Sequence, residues 1–270
     1  MQALNPPPDV LTAFGITTPP ARLTGGQGQT FRSGSWILKP APNVAETEWI
    51  AGILADLDQT GFRVARHKRA TSGAWVVSGW SVQEHLDGEQ RTGAWPEIIA
   101  AGHALHHAFA DAPRPAFLDA RTDPWAVADR VAWGEQPHEA YPELAEALAP
   151  LVRRLRPVSQ PCQLIHGDLT GNVLFREGQP PAVIDISPYW RPAGFAAAIV
   201  VVDALTWEGA DPGLLASIET LPEIDQLLLR AAIWRLVELE ETRRQSGREY
   251  PGALTRHRSI HHRLFEMLPD

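Results

Sequence analysis

The chain has 270 residues, 44% hydrophobic and 21% charged, so it can bury an ordinary core as one large domain or as two small lobes around a shared cleft. Its single cysteine, Cys162, excludes an intramolecular disulfide framework and indicates a reducing compartment. A net charge of −8 without a basic tract argues against a nucleic-acid partner. The N-terminus lacks a signal-peptide pattern, and the longest apolar run, residues 195–202, is too short for a bilayer. We therefore expect a soluble, cytoplasmic protein without a membrane partner; its oligomeric state is not indicated.

The N-terminal segment combines a proline-rich arm with a glycine-rich turn. Residues 6–20 are rich in proline around a short helical stretch at 9–14. Two strands then flank Gly25, Gly26, Gln27 and Gly28, and a second turn at residues 33–34 leads to a third strand over 35–40. Glycines in such a turn let the backbone approach a polyphosphate closely, although an ordinary hairpin would have the same pattern. No Gly-Lys-Ser/Thr follows, so this is not a P-loop.

Lys39 is one of only two lysines in a chain whose other basic residues are arginines. The apolar period predicts a helix over residues 44–59, and at 100° per residue Glu46 falls on its apolar stripe while Glu48 lies opposite. A carboxylate on a core face needs a partner, and we predict Lys39. The alternatives are a solvated Lys39 and a rotated helix with both glutamates in water.

Two further strands are predicted at residues 61–70 and 73–82, and they lead into a polar stretch at 83–88. The next helix, 95–110, carries His103 and His107 with a spacing that two metal ligands can use. No carboxylate or cysteine completes that set nearby, so we expect these histidines to pack or to be solvated. Helices are also predicted over 139–156, 194–207, 222–245 and 253–268, whereas 111–137 receives no assigned element.

The stretch Gln163–Pro188 carries the chemistry. Two short apolar runs flank Glu177-Gly-Gln-Pro-Pro181 and predict a hairpin. Asp168 and Asn172 precede the first run, and Asp185 ends the second, so the hairpin would bring three oxygen-bearing side chains to one end of a small sheet. Converging hard oxygen ligands with a spare carboxylate are what Mg²⁺-dependent phosphoryl transfer needs.

The ordered set resembles the aminoglycoside phosphotransferase group of the protein-kinase-like superfamily. The matching segments are the glycine-rich turn, Lys39 with Glu46, the Gln83-Glu-His-Leu-Asp-Gly88 linker, the Leu-His helix, His166-Gly-Asp and Asp185. The resemblance implies an α+β, two-lobed fold with a small antiparallel-sheet N-terminal lobe (1–86) and a mainly helical C-terminal lobe (87–270). It also implies a small-molecule kinase that uses ATP or GTP with Mg²⁺ and transfers the γ-phosphate to an alcohol.

The same resemblance assigns roles to individual residues. Asp168 would accept the proton of the attacking hydroxyl, and Asn172 and Asp185 would bind Mg²⁺. His166 would bond the backbone near Asp185 instead of reacting. The nucleotide-binding residues it implies are Gly25, Gly26, Gln27, Gly28, Lys39, Glu46, Glu84 and Leu86, with the backbone of 83–86 at the adenine edge.

Three features separate the chain from its relatives. Gly167 stands where phosphorylation-regulated protein kinases place an arginine, which favours a constitutively active small-molecule kinase. The loop from Asp168 to Asn172 is one residue shorter than the usual Asp-Leu-His-Pro-Gly-Asn. The sequel Ile184-Asp-Ile-Ser-Pro-Tyr-Trp-Arg-Pro192 is similar to that of an actinobacterial branch whose substrate is unassigned. A nucleotide-binding pseudokinase remains an alternative if the short loop cannot place Asn172. A metal hydrolase would leave Lys39 and Glu46 unexplained.

The acceptor is expected to be a small hydroxylated molecule of the aminoglycoside, aminosugar or amino-alcohol type. Segments 111–135 and 189–191 would line its pocket. They supply the acidic residues Asp119 and Asp123 and several aromatic rings, which would suit a cation. The alternative is that these aromatic residues belong to the core. If the segment contacts the acceptor, Arg191→Ala would weaken acceptor binding alone.

Overall fold

The structure, a computed structural model, describes residues 5–23 and 29–258. The chain divides into two compact units, the first formed by residues 1–90 and 173–185, the second by residues 91–172 and 186–270. The strands of the described residues are Ala21–Arg22 (β1), Phe31–Ser33 (β2), Trp36–Pro40 (β3), Arg63–Val64 (β4), Val76–Val77 (β5), Trp80–Glu84 (β6), Gln163–His166 (β7), Val173–Leu174 (β8), Ala182–Val183 (β9) and Pro188–Arg191 (β10). The α-helices are Pro8–Ala13 (α1), Val44–Ala55 (α2), Trp95–Ala108 (α3), Pro124–Ala132 (α4), Pro142–Arg153 (α5), Gly194–Trp207 (α6) and Ile224–Ser246 (α7), with 3₁₀ turns at Ala116–Ala120 and Pro212–Ser217.

The first unit contains a five-stranded antiparallel sheet in the order β1-β2-β3-β6-β5. The predicted turn between β2 and β3 is confirmed, and Gly34 adopts the positive φ that it requires. The single strand predicted over 73–82 is wrong, because Ser78 and Gly79 both have positive φ and turn the chain between β5 and β6. The glycine-rich turn at Gly25, Gly26, Gln27 and Gly28 lies outside the described residues.

The core of this sheet is closed by the short N-terminal helix. Val10 and Phe14, from α1 and its end, pack with Leu38 of β3 and with Phe31 and Trp80, whose rings meet edge to face at 5.9 Å. Burial of large apolar side chains contributes about 1.5–3 kcal/mol each, so α1 is part of the unit and not a loose arm.

Helix α2 begins at a reciprocal cap. The Asn43 side chain accepts a hydrogen bond from the Glu46 N–H at 3.2 Å and donates one to Glu46 Oε2 at 3.1 Å. The helix ends at Ala55, before the predicted residue 59, because the following residues turn and Gln59 accepts a hydrogen bond from the backbone of Val64.

The predicted hairpin after Asn172 is confirmed. Strands β8 and β9 pair antiparallel, with Val173 opposite Val183, and β4 adds to β9 in parallel. The side chain of Arg63 and its backbone N–H fasten β4 to the carbonyls of Pro180 and Pro181. The hairpin therefore belongs to the first unit. A single boundary between residues 86 and 87 would assign it to the C-terminal lobe instead.

The second unit is mainly helical. Helix α6 has the predicted bounds and is almost wholly buried, as its apolar sequence requires, and it packs against α3 and α7. Strands β7 and β10 form a two-stranded ribbon in which Pro188 faces His166. Residues 253–258 begin the predicted last helix, whose remainder lies outside the described residues. None of the described helices is both long and apolar enough to cross a bilayer.

Candidate active site

His166, at the end of β7, holds the backbone of Asp168 and that of Ser187. The ring is fully buried, and its Nδ1 accepts hydrogen bonds from the N–H of Asp168 at 3.3 Å and of Ser187 at 3.1 Å. The next residue, Gly167, donates its N–H to the Ser187 carbonyl at 2.9 Å. His166 is thus a structural residue beside the loop, which is the role that the resemblance implied.

Helix α3 supports this loop from behind. His106 accepts a hydrogen bond from the His166 N–H at 3.0 Å, and burial, reinforced by His166 and His103, lowers the pKa of His106 to about 3. An added Cβ on Gly102 would lie 2.4 Å from a methyl carbon of Leu169, so any larger residue there would require the buried Leu169 side chain to shift. Sequence reasoning did not reveal the contact between His106 and His166, because 60 residues separate them in the chain.

The short loop from Asp168 to Asn172 closes through Gly171. The Asn172 N–H donates to the Leu169 carbonyl at 2.9 Å, and Gly171 has a φ of +79°, as a four-residue turn with a left-handed third position requires. The Asn172 amide nitrogen then donates to the Asp168 carbonyl at 2.7 Å and to Asp168 Oδ2 at 3.1 Å. Although the loop is one residue shorter than usual, Asn172 therefore still contacts Asp168.

The Asp168 carboxylate is 48% exposed and lies beside a buried ion pair. Its Oδ1 is 3.6 Å from Nη2 of Arg235 on α7. Arg235 donates in turn to both oxygens of Asp203 on α6, at 2.7 and 2.5 Å. Sequence reasoning missed this pair, although one carboxylate within the apolar run of α6 is itself a sign of a buried partner.

In the first unit, Lys39 and Asp185 form an ion pair between Nζ and Oδ1. Lys39, the last residue but one of β3, lies opposite Ser81 of β6, and Asp185 follows β9 with a φ of +52°. Non-glycine residues rarely adopt this left-handed conformation, which occurs preferentially at functional positions. The nearby ring of His67 is largely buried, and burial together with Lys39 lowers its pKa to about 4.

Glu46 is half-buried and Glu48 exposed, in the order that the helical period predicts. The contacts recorded for the Glu46 carboxylate include the cap with Asn43, while Lys39 is engaged by Asp185. A pairing of Lys39 with Glu46 therefore stays a prediction.

Backbone hydrogen bonds hold the last residue of β6, Glu84, and the residue after it, His85. The N–H of Glu84 donates to the Arg66 carbonyl and that of His85 to the Ser35 carbonyl, both within the first unit. The Glu84 carboxylate accepts the Arg66 N–H at 3.1 Å. Among the described residues, no backbone carbonyl accepts a hydrogen bond from the Leu86 N–H.

The segments expected to line the acceptor pocket contribute to a cavity of about 310 Å³ within the second unit. The two acidic residues predicted to suit a cation are already paired: Asp119, which lines the cavity, with Arg114 at 2.5 Å, and Asp123, which is outside its lining, with Arg121 at 2.9 Å. They are therefore unavailable as simple cation sites. The aromatic residues of these segments differ in exposure. Tyr189 is buried against Trp234, whereas Trp125 is 37% exposed.

Arg191 lies in the wall of this cavity but is a structural residue. It is 8% exposed and bonds both oxygens of Asp129 and of Glu135, with its shortest contacts at 2.6 Å. Burial raises the pKa of Asp129, and Arg191 opposes that change. Selective loss of acceptor binding in Arg191→Ala is thus no longer the expected result, because the substitution would leave a buried carboxylate without its partner.

Solved structures with the same fold cover most of the chain. An amicoumacin kinase in complex with AMP-PNP and Ca²⁺ is 15% identical, with 93% of this chain and 89% of that one covered and a TM-score of 0.59. A spectinomycin phosphotransferase in complex with ADP and spectinomycin is 14% identical, with 97% and 93% covered and a TM-score of 0.58. A choline/ethanolamine kinase family protein from Mesorhizobium loti is 16% identical, with 93% and 90% covered and a TM-score of 0.59. These likenesses confirm the expected kinase-like fold.

Comparison with curated proteins gives no match. A family model, described as a phosphotransferase enzyme family, matches residues 22–186, which is more than half of the chain. The matched range runs from β1 through the loop that holds Asp168 and ends just after Asp185. The chain, with its lysine–aspartate pair and its histidine-supported loop, therefore belongs to the phosphotransferase enzyme family.

Proposed function

We propose that this protein is a small-molecule kinase that transfers the γ-phosphate of ATP, with Mg²⁺, to a hydroxyl group. The observation that carries the proposal is the placement of Asp168. Its carboxylate is half-exposed, its Oδ2 accepts the Asn172 amide, and its backbone is fixed by buried His166. A positioned base of this kind is typically worth about 10²–10⁴ in rate.

In the proposed reaction the acceptor hydroxyl gives its proton to the Asp168 carboxylate while its oxygen bonds to the γ-phosphorus. The bond from that phosphorus to the bridging oxygen breaks, and ADP leaves with the electron pair. The protonated Asp168 afterwards releases its proton to solvent. Alignment and charge neutralisation supply the rest of the acceleration, because phosphoryl transfer needs little covalent help from the protein.

We assign the metal to Asn172 and Asp185. Both offer hard oxygen donors, which Mg²⁺ prefers. The Asn172 amide nitrogen donates to Asp168, so its amide oxygen is the atom left to act as a ligand. Lys39 engages Oδ1 of Asp185, which leaves Oδ2 for a cation. Mg²⁺ held by these residues would neutralise charge on the phosphates.

The remaining residues are assigned to the nucleotide. Lys39 would bind phosphate oxygens, with Glu46 as its second partner once Asp185 is engaged by the metal. Gly25, Gly26, Gln27 and Gly28 would cover the phosphates. The adenine edge would meet the backbone of Glu84 and Leu86, consistent with the absence of a recorded backbone bond for the Leu86 N–H in the described residues. GTP would be distinguished from ATP at this edge.

The acceptor class follows from charge near Asp168. Among the residues that the structure describes, three carboxylates, Asp168, Asp203 and Glu238, surround the guanidinium of Arg235, and this excess of negative charge favours a cationic acceptor. Proteins with this fold that are named for spectinomycin, amicoumacin or choline and ethanolamine support an aminoglycoside, aminosugar or amino-alcohol acceptor. The paired acids Asp119 and Asp123 are no longer needed for this assignment.

The test is ADP release by purified protein with ATP, Mg²⁺ and a panel of aminoglycosides, aminosugars and amino alcohols. Asp168→Asn should lower phosphotransfer about 10²–10⁴-fold and keep nucleotide affinity. Asp58→Asn, the same chemical change at an exposed turn of the first unit, should leave the rate unchanged. Nucleotide binding without turnover for any acceptor would refute the kinase and favour a pseudokinase.

A further inference from the structure

The cavity of about 310 Å³ in the second unit has more arginines than carboxylic acids in its lining. Its volume lies at the lower end of small-molecule pockets, which occupy about 300–1,000 Å³, so it can hold one small organic molecule. Leu118, Ala126 and Trp190 supply apolar and aromatic surface. Among the described residues, the guanidinium groups that line the cavity are those of Arg114, Arg121, Arg130 and Arg191. The partners of these groups indicate which ligand the cavity can bind.

Three of the four guanidinium groups bond carboxylates. The pairs are Arg114 with Asp119, Arg121 with Asp123, and Arg191 with both Asp129 and Glu135. Their shortest contacts are 2.5–2.9 Å long, as expected of charge-assisted hydrogen bonds. An anionic ligand would have to displace a carboxylate to bind any of these three arginines, so they shape the cavity more than they attract an anion.

Arg130, on α4, differs from the other three. Its Nε donates to Gln136 Oε1 at 2.9 Å, and its Nη1 donates to the Arg121 carbonyl at 3.0 Å. Both acceptors are neutral, so they hold the side chain in place without cancelling its charge. Among the described residues, no carboxylate forms an ion pair with Arg130. A guanidinium has five N–H groups, so one on Nη1 and two on Nη2 are left for a ligand.

Two carboxylates of the lining are influenced by Arg130 without bonding it. Hydrogen bonding to Arg114 lowers the pKa of Asp119, and the charge of Arg130 adds to that effect. Hydrogen bonding to Arg191 likewise lowers the pKa of Glu135, again with a contribution from Arg130. Both carboxylates already have an arginine partner, so they do not occupy the N–H groups of Arg130 that a ligand would use.

The aromatic part of the wall indicates the shape of the ligand. Tyr189 and Trp190, neighbours on β10, both line the cavity. The buried ring of Tyr189 also lies against Gly167, the residue before Asp168. A flat ring or short chain that carries an acid could pack against this wall while its acid meets Arg130.

We propose that this cavity is a binding site for a small organic carboxylate, with Arg130 as the residue that binds the acid group. A planar carboxylate matches two N–H groups at the end of a guanidinium, and such charge-assisted bonds are about twice as strong as neutral ones. The site is separate from the acidic surroundings of Asp168, to which the cationic acceptor is assigned. Two molecules can supply the carboxylate, the acceptor itself or a separate effector.

The test uses benzoate as the probe and benzamide, a neutral molecule of the same shape, as the comparison. Calorimetry at constant ionic strength should show saturable binding of benzoate and binding of benzamide that is weaker by about tenfold or more. Arg130→Gln should weaken benzoate binding by the same factor and leave benzamide unchanged. Arg153→Gln, which removes an exposed arginine of α5 outside the cavity lining, should leave both affinities unchanged.

Cys162 reports whether the probe occupies this cavity, because it belongs to the lining and is the single cysteine of the chain. Its side chain is exposed, so iodoacetamide can reach it. With benzoate at ten times its dissociation constant, the empty protein and therefore the alkylation rate should fall about tenfold in wild type and in Arg153→Gln. The same benzoate concentration should leave the rate in Arg130→Gln nearly unchanged.

Three results would overturn the site: no saturable binding of benzoate or of succinate, equal binding of benzoate and benzamide, or binding that leaves Cys162 unprotected. If Arg130→Gln does not fold, these measurements on wild type still decide. In the phosphotransfer assay, a benzoate-dependent rise in the acceptor KM at constant kcat would assign the carboxylate to the acceptor, and an unchanged KM would assign it to a separate effector. The binding measurements need no turnover, so inactivity with every acceptor would refute the kinase function and leave the site standing.

Discussion

Replacing Gly167 by alanine would place a methyl group where the ring of Tyr189 already lies. The new Cβ would be 2.4 Å from Cδ2 and 2.6 Å from Cε2 of that ring, about 1 Å inside ordinary carbon contact. The ring cannot move away easily, because Tyr189 is 4% exposed and meets Trp234 edge to face at 5.6 Å. Overpacking of this kind costs about 1–3 kcal/mol. We therefore expect a lower free energy of unfolding and a weakened loop around Asp168.

Each kcal/mol corresponds to about 2–4 °C in a protein of this size, so the melting temperature should fall by about 2–12 °C. Calorimetry and urea unfolding of wild type and Gly167→Ala measure the change. Gly52→Ala is the matched control, because Gly52 is an exposed position of α2 with no atom within 4 Å of an added Cβ. That variant should gain about 0.5–1 kcal/mol.

A double-mutant cycle with Tyr189→Leu separates the clash from other effects. If the ring is the cause, Gly167→Ala should cost much less in the leucine background than in wild type. An equal cost in both backgrounds, or an unchanged stability in wild type, would show that Tyr189 does not restrict residue 167.

Three other predictions concern the second unit. Arg191→Ala should lower the unfolding free energy by about 3–5 kcal/mol, because it leaves buried Asp129 without its partner; Asp119→Ala, at an exposed pair, should change it by less than about 1 kcal/mol. Denaturant titration would contradict the assignment if the two costs were equal. Gly171→Ala forces a residue with a side chain into a φ of +79°, so phosphotransfer should fall at least tenfold because Asn172 is displaced. The control is Gly178→Ala, which imposes a similar φ of +71° in the hairpin turn and should keep the rate. Equal rates for these two variants would contradict the role of the turn. Because the pKa of His106 is about 3 when folded and 6.5 as its ordinary value, protonation favours the unfolded chain. Stability should therefore fall below pH 6.5 by up to about 1.4 kcal/mol per unit, and unfolding measured at pH 7 and 5.5 should show a smaller slope in His106→Asn than in wild type.

Two elements, α6 and the hairpin of β8 and β9, could be predicted from the sequence because each has its own local pattern. The apolar run of α6 gave its bounds, and Gly178 between two short apolar runs gave the hairpin of β8 and β9. Lys39, one of two lysines in a chain whose other basic residues are arginines, was a chemical signal, and the structure pairs it with Asp185. The role of Asp168 came from its motif and remains a proposal.

The elements and contacts that the sequence did not reveal depend on residues far apart in the chain. Helix α4 begins at Pro124 within a segment too rich in proline and charge for its short period to be recognised. Arg191 meets Asp129 across 62 residues and Arg235 meets Asp203 across 32, and neither pair has a local pattern. The closing of the short loop by Gly171 depends on a dihedral angle, which spacing alone cannot supply.

The pairing of β4 with β9 has a consequence for biosynthesis. The first 90 residues emerge from the ribosome long before Ala182 and Val183, which β4 needs as its partners. The first 90 residues therefore cannot complete the sheet that contains β4 before the hairpin has been translated. The hydrogen bonds of Arg63 to the carbonyls of Pro180 and Pro181 form only then. Folding of this unit is thus completed only after about half of the other unit has been made. Exchange of the first 90 residues between relatives would separate β4 from the strand with which it pairs.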